Sequence, residues 1–433
     1  MDDQRPQLSS VPAGDIVTSW GRQRNAMSGA AMDRNGKRGS AVRETEQSGA
    51  WTLRSGASAA ILVLAAPTAM GGALGLAPLA ALLGLLAAPW RHLASLARQA
   101  RLPLIVFGAF LVWTVLSAAW SPDHSFRTPP RLIGGVVTGL MLVAGLSWAP
   151  QTRASGIVRS FVIVFAALTA ALGLIEWIGG EPLNRLGHWG GQPSLLERAP
   201  MMGTSVLAVT VWGALALLLR GGWRGRIGAA AIFIGAVICA VISDMTANQI
   251  AVSIGAIGFG LALVFGVGVL EVSTYIVAAW LMLAPLTYPN LVRIVDPGAM
   301  PHSWEERLVI WRVAGEHIAA HPLFGAGLGG FRALSQPIIY AHGAIQPIHP
   351  HSGSLQIWYE LGAIGALLGA AALVSCGRAV AKTLKGQNLA AAAATGVLLS
   401  CFAIANVSYG AWEEWWVATV FLAAGMVAAS RAP

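Results

Sequence analysis

The residues of this chain that could do chemistry lie mostly in one stretch, between Ser303 and Gly365. Arginine binds phosphate oxygens through a planar fork and stays charged. A neutral imidazole can take a proton from a hydroxyl group. The stretch therefore predicts a site that handles an anion and a hydroxyl group, and its candidates are Arg307, Arg312, Arg332, His317, His321, His342, His349 and His351.

The first half of this stretch is predicted to form one helix. Ser303 and Glu306 have the spacing of a capping box, so a helix is expected from Trp304 to Ala320, ended by His321 and Pro322. One face of that helix is expected to lie on the membrane surface or against the rim of a helix bundle. The residues of this face are Arg307, Trp311, Ala314 and Ile318.

The second half combines a glycine-rich segment with a histidine motif. Four glycines between 325 and 330 predict a flexible turn whose backbone could approach a phosphate, although no strand precedes it. His-Pro-His-Ser follows at 349–352, and Ser352 is expected to cap the next helix. His349 and His351 would then lie at the mouth of that helix, near the water–lipid boundary.

The rest of the chain predicts the scaffold that positions these residues. Of 433 residues, 55% are hydrophobic and only 11% charged, whereas soluble domains carry about 25% charged residues. Apolar runs of about 20 residues are typical of membrane helices rather than of a β-barrel. The net charge of +9 is better explained by basic residues held on the cytoplasmic side than by nucleic acid. The fold class is therefore an all-α integral membrane protein.

The apolar runs divide the chain into a tail and one membrane domain. Residues 1–55 are polar and basic, which predicts a disordered cytoplasmic tail. Residues 56–430 hold about twelve transmembrane helices, and the long polar loop at 288–352 precedes the tenth. With both termini inside, every lysine lies on the cytoplasmic side, which agrees with the positive-inside rule. The loop at 288–352 is then external, and so is Arg198 at the head of the sixth segment.

An ordered set of motifs over about 303–368 resembles the O-antigen ligase and O-antigen polymerase family. Arg-x-x-x-Trp comes first, His-Pro-Leu-x-Gly-x-Gly second, and a His-Pro-His-Ser motif continuing into Glu-Leu-Gly-x-x-Gly last. The helix layout extends the resemblance over most of 57–430. The matching residues are Arg307, Trp311, His321, Pro322, Gly325, Gly327, His349, His351, Leu355, Gln356, Glu360, Leu361, Gly362 and Gly365.

The resemblance implies a GT-C-like bundle and a multi-pass glycosyltransferase of the bacterial inner membrane. Its donor would be a glycan on undecaprenyl pyrophosphate, and its acceptor another glycan or lipid A core on the periplasmic face. It implies no cofactor, nucleotide sugar or metal. Other partners would be membrane lipid, a chain-length regulator or export proteins, and not nucleic acid. Whether the enzyme would be a ligase or a polymerase remains open, because nothing in the loop identifies the acceptor.

The family's functional residues map onto this chain by motif position. His351 corresponds to the catalytic histidine and Arg307 to the loop arginine. Many relatives have asparagine where this chain has Ser352, and many carry an arginine in the short turn that reads SDMTANQ here, at 243–249. Arg198 is expected to replace that charge. The predicted substrate-binding residues are Arg332, Arg198, His349, Trp311 and Gln356.

Structural roles and two other functions compete with this interpretation. Arg307 could be an interfacial arginine and Trp311 a membrane-belt residue. His349 and His351 lack a third ligand at a clear spacing, so a metal site there is not expected. A polysaccharide transporter, or flippase, would require broken helices at mid-membrane and related halves, and few such features are evident. A non-catalytic partner of a glycan export complex is the remaining alternative.

Overall fold

The computed structural model describes residues 56–124, 127–149, 155–187, 199–295, 300–340 and 342–432. The predicted tail at 1–55 lies outside these ranges. Within them the secondary structure is helix, joined by turns and loops, together with one short antiparallel hairpin, β1 (Ile338–Tyr340) and β2 (Gly343–Ile345). This confirms the all-α prediction.

The described helices have the following bounds in chain order. The first eight are α1 (Gly56–Met70), α2 (Leu76–Ala87), α3 (Leu93–Gln99), α4 (Arg101–Leu116), α5 (Thr128–Trp148), α6 (Ser155–Ile178), α7 (Pro182–Gly187) and α8 (Ala199–Leu218). The others are α9 (Trp223–Ile242), α10 (Thr246–Phe265), α11 (Gly268–Ile294), α12 (His302–Ala320), α13 (Gly330–Leu334), α14 (Gly353–Thr383), α15 (Asn388–Val407) and α16 (Glu414–Ala429).

Nine helices in the described ranges are long and apolar enough to cross a membrane. Three shorter apolar helices are α1, α2 and α16. The sequence predicts about twelve apolar segments, and the described ranges hold nine long and three short apolar helices. The multi-pass architecture follows from segment length and composition, because a membrane-spanning helix must satisfy its backbone hydrogen bonds internally.

The main core surrounds α8, whose residues from Gly203 to Leu217 are all buried. A helix that is apolar on every side is expected at the centre of a bundle. Trp212 on α8 is 1% exposed, and its indole N–H donates to Ser400 on α15 at 2.9 Å. Alanines at 390–394 on α15 are also buried, and such small residues let neighbouring helices approach closely.

A second apolar cluster holds the polar stretch against the bundle. Helix α12 packs on α11 and α14 through Leu308, Ile310, Trp311, Ala314 and Ile318, all buried. Of the two predicted positions for this helix, the structure shows the one against the bundle. The helix ends at Ala320 as predicted, but the prediction of a capping box formed by Ser303 and Glu306 is wrong. The helix begins at His302 with Pro301 as its N-cap, and no side chain caps it.

Helix α14 is broken at Gly362, which has a φ of 65° and a ψ of −167°. The segment from Pro322 to Leu328 lies against this break, so the two share backbone hydrogen bonds. Ala326 and Gly327 donate to the carbonyls of Tyr359 and Glu360, and Ala363 donates to Pro322. A Cβ on Gly362 would overlap the carbonyl of Leu323, and a Cβ on Gly325 would lie 2.6 Å from the carbonyl carbon of Glu360.

Candidate active site

Arg307 and His351 both bind the connection between α15 and α16. The Arg307 Nε donates to the carbonyl of Val407 at 2.9 Å, and the His351 Nδ1 lies 2.6 Å from the carbonyl of Ser408. Consecutive Cα atoms are about 3.8 Å apart. The structure therefore brings together the two residues that the sequence singled out as catalytic, by fastening both to neighbouring peptide groups.

The contact with Ser408 defines the tautomer of His351. A carbonyl oxygen can only accept, so the Nδ1 of His351 must carry the proton that it donates. In the neutral ring the basic lone pair is then at Nε2. His351 also has a φ of 50°, a conformation that costs a residue other than glycine about 1–3 kcal/mol and is concentrated at functional sites.

His349 connects His351 to a carboxylate. The Nδ1 of His349 accepts a hydrogen bond from the His351 backbone N–H at 3.2 Å, so its proton is on Nε2. That Nε2 lies 3.5 Å from Glu413 Oε1. Glu413 is itself held by the backbone N–H of Gly410 and the indole of Trp415. Because His349 is 8% exposed, this arrangement suits orientation of the motif more than direct access to a substrate.

The start of α14 is fixed by a buried hydroxyl network. Ser352 caps the helix as predicted, accepting from the backbone N–H of Leu355 at 3.3 Å. Its hydroxyl also donates to Tyr288 on α11 at 2.9 Å, and Tyr288 donates to the carbonyl of Asn406 at 3.1 Å. The network thus links α11, α14 and the end of α15, one residue before the carbonyl that holds Arg307.

Arg307 keeps its positive charge among neutral partners. Besides Val407, its guanidinium donates to the carbonyl of Ser303 and lies 5.4 Å from the ring of Trp304. These bonds use two of its five N–H donors. Burial lowers the pKa of Arg307 from its usual value, while Glu306 and Tyr409 oppose that shift. A cation with incomplete solvation is suited to binding an anionic ligand.

The SDMTANQ turn at 243–249 adds a polar cluster beside the connection. Asn248 is fully buried at the start of α10, and its Oδ1 accepts from Ser205 on α8 at 2.7 Å. The Ser205 hydroxyl is also 3.2 Å from that of Tyr409, which directly follows Ser408. Neutral hydrogen-bonding groups therefore occupy this position. Arg198, the predicted replacement cation, lies outside the described residues.

Two predicted substrate-binding residues are buried and hydrogen-bonded within the protein. Trp311 is 1% exposed, and its indole donates to the carbonyl of Pro350 at 2.9 Å, inside the histidine motif. Gln356 is 5% exposed; its oxygen accepts from the backbone N–H of Ala411, and its amide donates to Glu360. Both residues hold the site's backbone, and their role as substrate contacts stays a prediction.

Arg332 is exposed but lies elsewhere on the loop. Its neighbour Phe331 packs on Tyr359, which stacks on His317. His317 is ten residues along α12 from Arg307, which corresponds to about 15 Å at 1.5 Å per residue. The structure therefore joins Arg307 with His351 but does not place Arg332 beside them.

The glycine-rich segment has a structural function that the sequence did not reveal. Instead of standing free as a turn, it lies on the break in α14. Glu360 fastens the two parts there. Its Oε2 accepts from the backbone N–H of Gly329 at 2.9 Å and from the indole of Trp412 at 2.7 Å. The glycines thus allow the backbone of the glycine-rich segment to pack against the backbone of α14 at its break.

Sequence reasoning missed several residues of the connection, among them Tyr288, Asn406, Ser408, Tyr409 and Glu413. Their signal is weak, because each is a single polar residue at the outer end of an apolar segment. Glu413 contacts His349, and Glu414 pairs with Arg131 at 3.2 Å.

The fold and this cluster define the class: an all-α, multi-pass membrane protein with a histidine–arginine site where a long loop meets the end of the bundle. Residues 198–370 match the family model of O-antigen ligase. The matched range includes α12, the glycine-rich segment and the histidine motif. This confirms the predicted resemblance to the O-antigen ligase family.

Similar curated proteins carry names of the same kind. The "Putative polysaccharide ligase" of Rickettsia felis is 26% identical over 230 residues, which cover 50% of this chain and 54% of that protein. A protein of the same description from Rickettsia typhi is 25% identical over 334 residues, covering 71% of this chain and 76% of that protein. The chain thus spans about half of the first relative. No solved structure matches the chain significantly.

Proposed function

We propose that this protein is a glycosyltransferase that moves a glycan from undecaprenyl pyrophosphate to a sugar acceptor on the periplasmic face of the bacterial inner membrane. The single observation that carries the proposal is the fastening of Arg307 and His351 to the consecutive carbonyls of Val407 and Ser408. A cation for a diphosphate and a base for a hydroxyl group are thereby held side by side. The likeness to polysaccharide ligases supports the same reaction class.

In the proposed reaction, a hydroxyl oxygen of the acceptor attacks the anomeric carbon of the donor sugar. The bond from that carbon to the phosphate oxygen breaks, and the lipid diphosphate leaves with the electron pair. The hydroxyl proton goes to Nε2 of His351, whose Nδ1–H is held by Ser408. General base catalysis of this kind typically contributes about 10²–10⁴ in rate.

The arginines have separate roles in this proposal. Arg307 stabilises the diphosphate leaving group, because the hydrogen-bond partners of its guanidinium among the described residues are the neutral carbonyls of Val407 and Ser303. This role needs no metal ion at the reacting atoms and no cofactor. Arg332, on the other end of the loop, and Arg198 would bind more distant parts of the donor or acceptor. His349, Trp311 and Gln356 act by positioning the motif.

The location and partners follow from the same proposal. The loop between α11 and α14 would face the periplasm, with both termini in the cytoplasm. The donor lipid would reach the site from the bilayer, and the acceptor, a glycan or lipid A core, from the periplasm. A chain-length regulator or an export complex would be a further partner.

A deletion strain tests this function directly. Surface glycan and lipid-linked glycan are analysed with and without the complementing gene. Loss of long surface glycan with accumulated lipid-linked polymer would identify a ligase, and single-repeat products would identify a polymerase. Unchanged surface glycan would contradict both. Transport of glycan by the purified protein without glycosyl transfer would instead favour the flippase alternative.

A further inference from the structure

A second cluster of ligand-bearing side chains joins the start of α12 to the β-hairpin. His302 and Glu305 project from the first turn of α12, and His342 directly precedes β2. One ligand atom from each of these residues lies within 4.8 Å of the others. The cluster shares no residue with the Arg307–His351 site, so its chemistry is a separate question.

The hydrogen-bonding distances in this cluster are close to those of a metal shell. The Nδ1 of His342 is 3.1 Å from Glu305 Oε2, and the Nε2 of His302 is 3.4 Å from Glu306 Oε1. Ligands 2.0–2.1 Å from a tetrahedral zinc ion are separated from each other by about 3.3 Å. The ligand atoms of His302, Glu305 and His342 lie within 4.8 Å of one another. Side-chain rotations that shorten the wider separations to about 3.3 Å would bring all three around one ion.

The two carboxylates of the cluster, Glu305 and Glu306, would be stabilised by a cation. The side chain of Glu305 is 7% exposed, and its ion-pair partner within the described ranges is His342. The ion-pair partner of the adjacent Glu306, within the same ranges, is His302. A histidine is charged only when protonated, and a buried carboxylate without a cation is costly. A divalent ion would neutralise both acids.

The surrounding residues resemble an outer shell. Tyr340, at the end of β1, donates its hydroxyl to Glu306 Oε1 at 2.9 Å, and this bond would orient the carboxylate for metal binding. The same hydroxyl lies 3.3 Å from His302 Nε2. Imidazole combined with carboxylate suits zinc and other first-row transition metals more than calcium or magnesium.

We propose that His302, Glu305 and His342 form a zinc site that fastens the β-hairpin to the start of α12, with Glu306 or water as the fourth ligand. Without an ion, the hairpin contacts this region through Tyr340 and through Ile338 and Ile345, which are only partly buried. The ion would be structural. Two of its ligands, His302 and Glu305, lie within about one and a half turns of Arg307 on α12, so the ion would also fix the helix end that positions that arginine.

The test is zinc titration of the full-length protein in detergent, purified without a polyhistidine tag and stripped with a chelator. Zinc chloride is titrated in competition with a fluorescent indicator. One equivalent is expected to bind, and His302→Ala and His342→Ala are each expected to weaken binding at least about 100-fold, beyond the effect of losing an outer-shell partner. The control is His321→Ala, an exposed histidine whose ring lies 4.8 Å from that of His317, which should bind zinc as the wild type does.

A second readout separates metal loss from misfolding. Zinc is expected to slow hydrogen–deuterium exchange of 338–345 in the wild type and not in His342→Ala, whose gel-filtration profile should stay unchanged. Absence of zinc binding by the wild type would overturn the proposal. Zinc binding by His302→Ala and His342→Ala with the affinity of the wild type would also overturn it. So would loss of zinc binding in His321→Ala. Each readout is independent of glycan transfer.

Discussion

Arg307 and His351 are both held by main-chain carbonyls, those of Val407 and Ser408. A carboxylate partner would orient an arginine equally well but would also cancel its charge. A carbonyl orients the guanidinium and leaves the full positive charge for a ligand. In the same way, the Ser408 carbonyl sets the tautomer of His351 without creating the strong acid–base pair that a carboxylate would form.

The substitution Arg307→Lys tests whether the planar guanidinium group of Arg307 is needed. Lysine keeps the charge, but it cannot donate to Val407 while also contacting a diphosphate bidentately. We expect at least a roughly tenfold loss in transfer rate, about 1.4 kcal/mol in activation free energy, with normal protein levels. The matched control is Arg312→Lys, an exposed residue on the same helix, which should retain activity. Full activity of Arg307→Lys would contradict a bidentate role.

At the scale of the element, the break in α14 is the feature that arranges the site. Gly362 occupies a conformation essentially restricted to glycine, and the carbonyl of Leu323 lies where a Cβ would be. Gly362→Ala is therefore expected to lower stability by about 1–3 kcal/mol, read as a lower melting temperature in detergent. Gly260→Ala is the control, since a Cβ there meets nothing within 4 Å. Equal melting temperatures would show that the break is not required.

Glu360 fastens the glycine-rich segment to α14, and Glu360→Gln tests that contact. An amide replaces one acceptor oxygen by a donor, so Gly329, Trp412 or Gln356 would lose a partner. The expected cost is about 1–3 kcal/mol, with faster exchange of the amides at 325–330. Glu316→Gln, at an exposed position of α12, should change neither quantity. Unchanged hydrogen exchange at 325–330 in Glu360→Gln would show that Glu360 does not hold the glycine-rich segment on α14.

The elements were largely predictable and the contacts between them were not. Apolar run length placed the membrane helices, and Ser352 was correctly identified as a cap, because both are local properties. The glycine string at 325–330 could not be explained locally, since its partner is the break at Gly362 more than thirty residues later. Glu413 was likewise missed, because the residue it contacts, His349, lies in another loop.

At the scale of the whole molecule, the account depends on which side of the membrane the loop faces. The distribution of lysines predicts that α12 and the hairpin are periplasmic and that the loop between α14 and α15 is cytoplasmic. This is tested in a variant with Cys239, Cys376 and Cys401 replaced by alanine. In intact cells, an impermeant maleimide should label Gln346→Cys and not Lys385→Cys, although both positions are exposed. The reverse labelling would exclude a periplasmic site.

Glycan transfer by the purified protein tests the proposed role of His351 as the base. An undecaprenyl-pyrophosphate-linked glycan and its acceptor are supplied in lipid vesicles, and wild type is compared with His351→Ala and with His124→Ala, an exposed histidine outside the site. The account predicts transfer by the wild type and His124→Ala, and a loss of about 10²–10⁴ in rate for His351→Ala. Transfer by His351→Ala at the wild-type rate would contradict it.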